Sequence, residues 1–109
     1  MICMNFCSIL DFPPKPEDVK VAGNFYNETV YLFVEWTFKN AVHVYEVEVD
    51  WIDTVRSLTI KGTTNENNAS LTIKLGSDSL NERFRVRLKA KNTCDETVET
   101  MEYPIGTFT

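Results

Sequence analysis

A single histidine, a deficit of basic residues and only four glycines limit what this chain of 109 residues can do. A hydrolytic site needs a nucleophile, a base and an orienting acid brought together. His43 is the one imidazole and opens a strand-like stretch, where it reads as a surface residue, so no catalytic constellation is expected. Acids outnumber bases 16 to 11, for a net charge of −5. A phosphate-binding surface needs the opposite balance, which excludes nucleic acid as a partner. The glycines form no phosphate cradle, and no apolar run approaches the roughly 18–20 residues that cross a bilayer, so no membrane insertion is expected. Helical periodicity, internal repeats and low-complexity segments are all missing. The three cysteines, Cys3, Cys7 and Cys94, are an odd number and cannot all pair within one chain.

The chain does have apolar residues, at 43% hydrophobic and 12% aromatic, enough for the core of one domain and too many for intrinsic disorder. Their arrangement is clearest in residues 83–92, RFRVRLKAKN. Phe84, Val86, Leu88 and Ala90 alternate with Arg83, Arg85, Arg87, Lys89 and Lys91, the period of two of a half-buried strand. A basic row this dense repels itself unless acids lie beside it. Residues 43–51, HVYEVEVDW, supply them: Tyr45, Val47, Val49 and Trp51 share one face, and Glu46, Glu48 and Asp50 the other. The two stretches are therefore expected to be antiparallel neighbours, with apolar rows in the core and charged rows paired outside.

Along the chain, residues 1–12 read as a leader or linker, uncharged before Asp11 and lacking both a basic n-region and an A-x-A-like cleavage site. The prolines of FPPKP, residues 12–16, block a helix and mark the start of a domain over residues 13–109. A short first strand is expected over residues 17–22, then a turn-rich GNFYNE. A strong second strand over residues 30–38 puts Val30, Leu32, Val34, Trp36 and Phe38 on one face. The other face holds Tyr31, Phe33, Glu35 and Thr37, unusually aromatic for a solvent side. A fourth strand over residues 56–61 with Leu58 and Ile60 inward, a polar loop over 63–68, a fifth strand over 70–75, the basic sixth and a last strand over 98–108 complete the pattern. Seven short alternating strands separated by turn signals predict an all-β antiparallel sandwich, with its termini at opposite poles.

These residues resemble a fibronectin type III domain over about residues 13–109. The likeness rests on the proline-rich FPPKP, Trp36 in FVEWTF, Tyr45 in HVYEVEV, Leu80 before the sixth strand and the run FRVRLKAKN. It implies an immunoglobulin-like seven-stranded sandwich, with the third, fourth, sixth and seventh strands in one sheet. Trp36 would be the core tryptophan and Tyr45 a packed tyrosine of the third strand. Phe84 stands where the family has a tyrosine, which removes a hydroxyl worth about 0.5–1.5 kcal/mol. Cys94 replaces a common glycine, and no Arg-Gly-Asp tripeptide is present. The family implies a noncatalytic protein-recognition or spacer module of an extracellular receptor, adhesion or matrix protein. The alternatives are a cytoplasmic scaffold module with reduced cysteines and an accessory domain of a larger enzyme.

Few candidate sites stand beside that reading. Glu46, Glu48 and Asp50 along one strand facing a basic row are expected to be ion-paired rather than to hold calcium, which prefers converging loop oxygens. A C-x3-C leader with one remote cysteine is a weak zinc signal, so neither a metal nor any other cofactor is expected. In this topology the leader and the loop holding Cys94 share a pole, which lets Cys3 or Cys7 reach Cys94; Cys7–Cys94 is the pairing expected, against free thiols. The sequons Asn27-Glu28-Thr29 and Asn68-Ala69-Ser70, both read as loops, point to glycosylation and an extracellular site, with Asn92-Thr93-Cys94 a weaker variant. Tyr31 and Phe33 on the outer face of the second strand are the candidate patch for a protein partner, the alternative being that side chains of the first or fifth strand or the leader cover them.

Overall fold

Alternation of apolar and polar side chains sets the strands, and strand pairing sets where each one stops. The structure, a computed structural model, describes residues 12–40, 43–74 and 83–105. Among them are β1 (Glu17–Tyr26), β2 (Thr29–Thr37), β3 (Glu46–Asp53), β4 (Leu58–Thr64), β5 (Asn68–Lys74), β6 (Phe84–Lys91), β7 (Thr97–Glu99) and β8 (Tyr103–Ile105). All pairings are antiparallel, and no helix occurs among the described residues. One sheet has the order β1-β2-β5; the other has the order β4-β3-β6-β7, with β8 also paired to β6.

The three central strands build the core. β2 contributes Val30, Leu32, Val34 and Trp36, β3 contributes Val47, Val49 and Trp51, and β6 contributes Phe84, Val86 and Leu88, with Ile105 from β8. Each such side chain contributes about 1.5–3 kcal/mol when taken out of water. The lesser strands β1 and β5 pack Val19, Val21, Phe25, Leu71 and Ile73 against this set. Pro13 and Pro16 are buried as well, so the FPPKP stretch packs onto the fold.

Register places the poles. Glu17 of β1 pairs with Thr37, Trp36 N–H donates to the Asn67 carbonyl, and Phe38, Val44, Val47 and Asn67 line one small cavity. The start of β1, the end of β2 and the β4–β5 turn therefore share one end of the sandwich. Ile105 pairs with Phe84 at the other end, beside the β3–β4 turn.

The acidic and basic strands pair as their charges require, with Glu46 opposite Lys91, Glu48 opposite Lys89 and Asp50 opposite Arg87. Several expectations need correction. The expected last strand over 98–108 is two strands among the described residues: Thr100, Met101 and Glu102 separate β7 from β8. Thr100 N–H donates to the Leu88 carbonyl, its Oγ1 accepts from Leu88 N–H at 3.1 Å, and the hydroxyl donates to the Met101 carbonyl. A side chain thus continues the ladder while Met101 and Glu102 loop outward. Thr100→Val is expected to strand the buried Leu88 N–H and cost about 1–3 kcal/mol in urea unfolding, whereas Thr100→Ser should retain most of the stability.

β1 runs on to Tyr26 because the turn is confined to Asn27 and Glu28, both at positive φ (54° and 62°). That two-residue turn lets residues 23–26 zip onto β2. β4 starts at Leu58 and passes Gly62 to Thr64, so part of the expected polar loop is strand. It is an edge strand, and Leu58 is exposed rather than inward. Tyr45 precedes β3 and is 63% exposed, which overturns its expected place in the core. Leu75, Leu80 and Phe108 lie outside the described residues.

Candidate functional site

The two outer faces have opposite characters. On the β1-β2-β5 sheet the outward residues of β2 include Tyr31 and Phe33, exposed to 44% and 38%. Their register partners are small: Ala22 and Ser70 flank Phe33, and Asn24 and Thr72 flank Tyr31. None has the bulk to cover a ring, so the aromatics form a ridge in a shallow depression that these six residues line. The residues on either side of each aromatic in β2 are inward and buried, so the strand holds both rings on the outside.

The charged face of the other sheet is occupied by its own pairs. Lys91 reaches Glu46 at 3.6 Å, and Lys89 reaches Glu48 at 3.5 Å. Arg87 donates through Nε and Nη2 to Asp50 Oδ2, and Lys61 from β4 contacts both Asp50 and Glu48. Asp50, expected on the solvent side, is 0% exposed because cations from two neighbouring strands close over it. Burial pushes its carboxyl up, and hydrogen bonding with Arg87, Glu48 and Lys61 and the charge of Lys89 more than reverse this. Its pKa therefore sits below the ordinary carboxylate range. The Asp50 carboxylate in turn raises Lys61 and Arg87. This face is a ladder of paired charges. Glu46→Ala should change stability by less than about 1 kcal/mol in urea unfolding, as exposed pairs do.

One charged pair went unseen in the sequence pattern. Arg83, read as the first rung of the outer ladder, turns inward and is buried against Asp53 at the end of β3. Nε donates to Oδ1 at 2.9 Å and Nη2 to Oδ2 at 3.0 Å. Asp53 also accepts from the Val55 and Arg56 amides and from Arg56 Nε, closing the β3–β4 turn. Burial would raise the Asp53 carboxyl, but these donors, Arg83 foremost, hold it far below the usual range. The only signal was Asp53, an acid on the inward parity of its strand; Arg83 keeps the phase of the basic row and gave none.

The remaining candidates separate cleanly. His43 is exposed, and no three potential metal ligands cluster among the described residues. Asn92 is buried, with Nδ2 donating to Glu96 and Oδ1 accepting from the Cys94 and Glu96 amides. Asn92 therefore organises the β6–β7 loop, and its sequon variant has no room for a glycan. Cys94 is disulfide-bonded. Cys3 and Cys7 lie outside the described residues, as does the expected Cys7–Cys94 pairing. Asn27 is exposed in the β1–β2 turn, and Asn68 is exposed but is the first residue of β5 rather than part of a loop. Among the described residues no helix is long and apolar enough to cross a membrane. No protein-family model matches the chain, and no curated protein matches it.

Proposed function

We propose that this chain is a noncatalytic protein-recognition or spacer module of an extracellular receptor, adhesion or matrix protein, resembling fibronectin type III domains. The observation that carries recognition is the Tyr31–Phe33 ridge. It is an aromatic surface that its strand neighbours among the described residues leave exposed, while the charged surface opposite is neutralised internally. Aromatic side chains supply large contact area at low entropic cost, which is why they anchor protein interfaces. The family likeness is supported by the β1-β2-β5 and β4-β3-β6-β7 sheet orders, and the spacer role by chain entry and exit at opposite poles. The disulfide at Cys94 favours an oxidising compartment over the cytoplasmic scaffold reading.

The test is secretion of the chain from eukaryotic cells behind a grafted signal. Intact mass is read before and after glycosidase, with thiol labelling. Added glycan mass and a single labelled cysteine are the expected results. A secreted protein without glycan and with three labelled thiols would overturn the extracellular reading in favour of the intracellular one.

A further inference from the structure

We propose that Asn68 carries an N-linked glycan whose first sugar ring lies across Phe33 and whose next sugar extends toward Tyr31, so that occupancy of this sequon decides whether the ridge is open to a partner or closed. This rests on the extracellular reading above and names what covers the surface.

Three observations converge. Asn68 is exposed, opens the sequon Asn68-Ala69-Ser70, and its amide has no hydrogen-bond partner among the described residues. The alternation of β5 turns Ala69, Leu71 and Ile73 toward the core and leaves Asn68, Ser70 and Thr72 on the outer face, the face of Tyr31 and Phe33. Register puts Asn68 opposite Glu35 and Ser70 opposite Phe33. Phe33 is therefore the diagonal neighbour of Asn68, about 7–8 Å away, a span bridged by an asparagine side chain and one sugar ring.

The surface suits that occupant. A pyranose presents a face of C–H bonds and a rim of hydroxyls. The C–H face of the first sugar fits the bare ring of Phe33 and that of the next one Tyr31, while Ser70, then Asn24 and Thr72, offer hydrogen bonds to the rims. The other sequon lacks this geometry. Asn27 lies in the turn at the end of the β1–β2 hairpin, not on the face of the sheet, so a glycan there leaves the ridge open.

The chain secreted from eukaryotic cells with a grafted signal is mapped by glycopeptide mass. The N-acetyl methyl resonance of the Asn68-linked sugar is then compared between the wild type, Phe33→Leu and Tyr31→Leu; Asn68→Gln assigns the signal by removing it. The expected result is glycan at Asn68 and an upfield ring-current shift that is lost in Phe33→Leu and kept in Tyr31→Leu. Glycan at Asn68 without that shift would overturn the proposal and leave the extracellular reading standing, as would glycan at Asn27 alone. A secreted chain glycosylated at neither site would overturn the proposal, and with three labelled thiols as well it would overturn the extracellular reading.

Discussion

Asp53→Ala is expected to lower the stability by about 3–5 kcal/mol, a large part of the roughly 5–15 kcal/mol that holds a domain together. The reason is what stays behind. Arg83 is anchored by a two-pronged contact in a buried position, and its guanidinium also lies 5.5 Å from the centre of the Phe84 ring. Removing the carboxylate takes the two-pronged contact from a buried charge, and the Val55 and Arg56 amides lose their acceptor. Urea unfolding of the single variant against Asp53→Ala/Arg83→Met checks this. The double variant should recover part of the loss, because a buried pair costs more to break than to replace.

The same pair sets the acid limit. Asp53 and Asp50 both have depressed carboxyl pKa values in the fold. The stability they contribute is present above the unfolded carboxylate pKa and is lost as pH falls through the folded values. The wild type should hold its stability from about pH 7 to pH 5 and lose it progressively below about pH 4. Asp53→Asn should start less stable and fall less steeply over that acid range.

Trp36→Ala carries the second large effect, about 3–5 kcal/mol. Trp36 is among the largest fully buried side chains and stands where β2 meets the β4–β5 turn, so its loss opens a large space in the core. Its indole Nε1 is buried with no hydrogen-bond partner among the described residues, a standing cost within the native core. Trp36→Phe removes that donor while keeping a ring, and should cost less than half as much as the alanine variant. The ratio of the two urea midpoints reports how much of the site is packing.

The central strands were legible because two independent patterns agree on them. Apolar alternation names the inward rows, and opposite charges at Glu46, Glu48 and Asp50 against Arg87, Lys89 and Lys91 select the partner and the register. Edges and ends were not legible. β4 pairs on one side only, so its limits follow from β3 and from the Asp53-capped turn rather than from its own pattern. The burial of Asp50 depends on cations from β4 and β6 meeting over it, which no single stretch encodes. Thr100 breaks the last strand through one hydroxyl, and many threonines in strands do no such thing. The Tyr31–Phe33 patch was visible as aromatics on the wrong face. That it stays open depends on Ala22, Asn24, Ser70 and Thr72, whose positions beside it come only from register.

The central claim is that the sandwich folds without these two rings and presents them outward for recognition. The most direct measurement is urea unfolding of the double variant Tyr31→Ser/Phe33→Ser, expressed without glycan. The predicted result is a loss of no more than about 1 kcal/mol, as for side chains that support little of the core. A loss near the 3–5 kcal/mol of a buried aromatic would show that the ridge is part of the core and contradict the account.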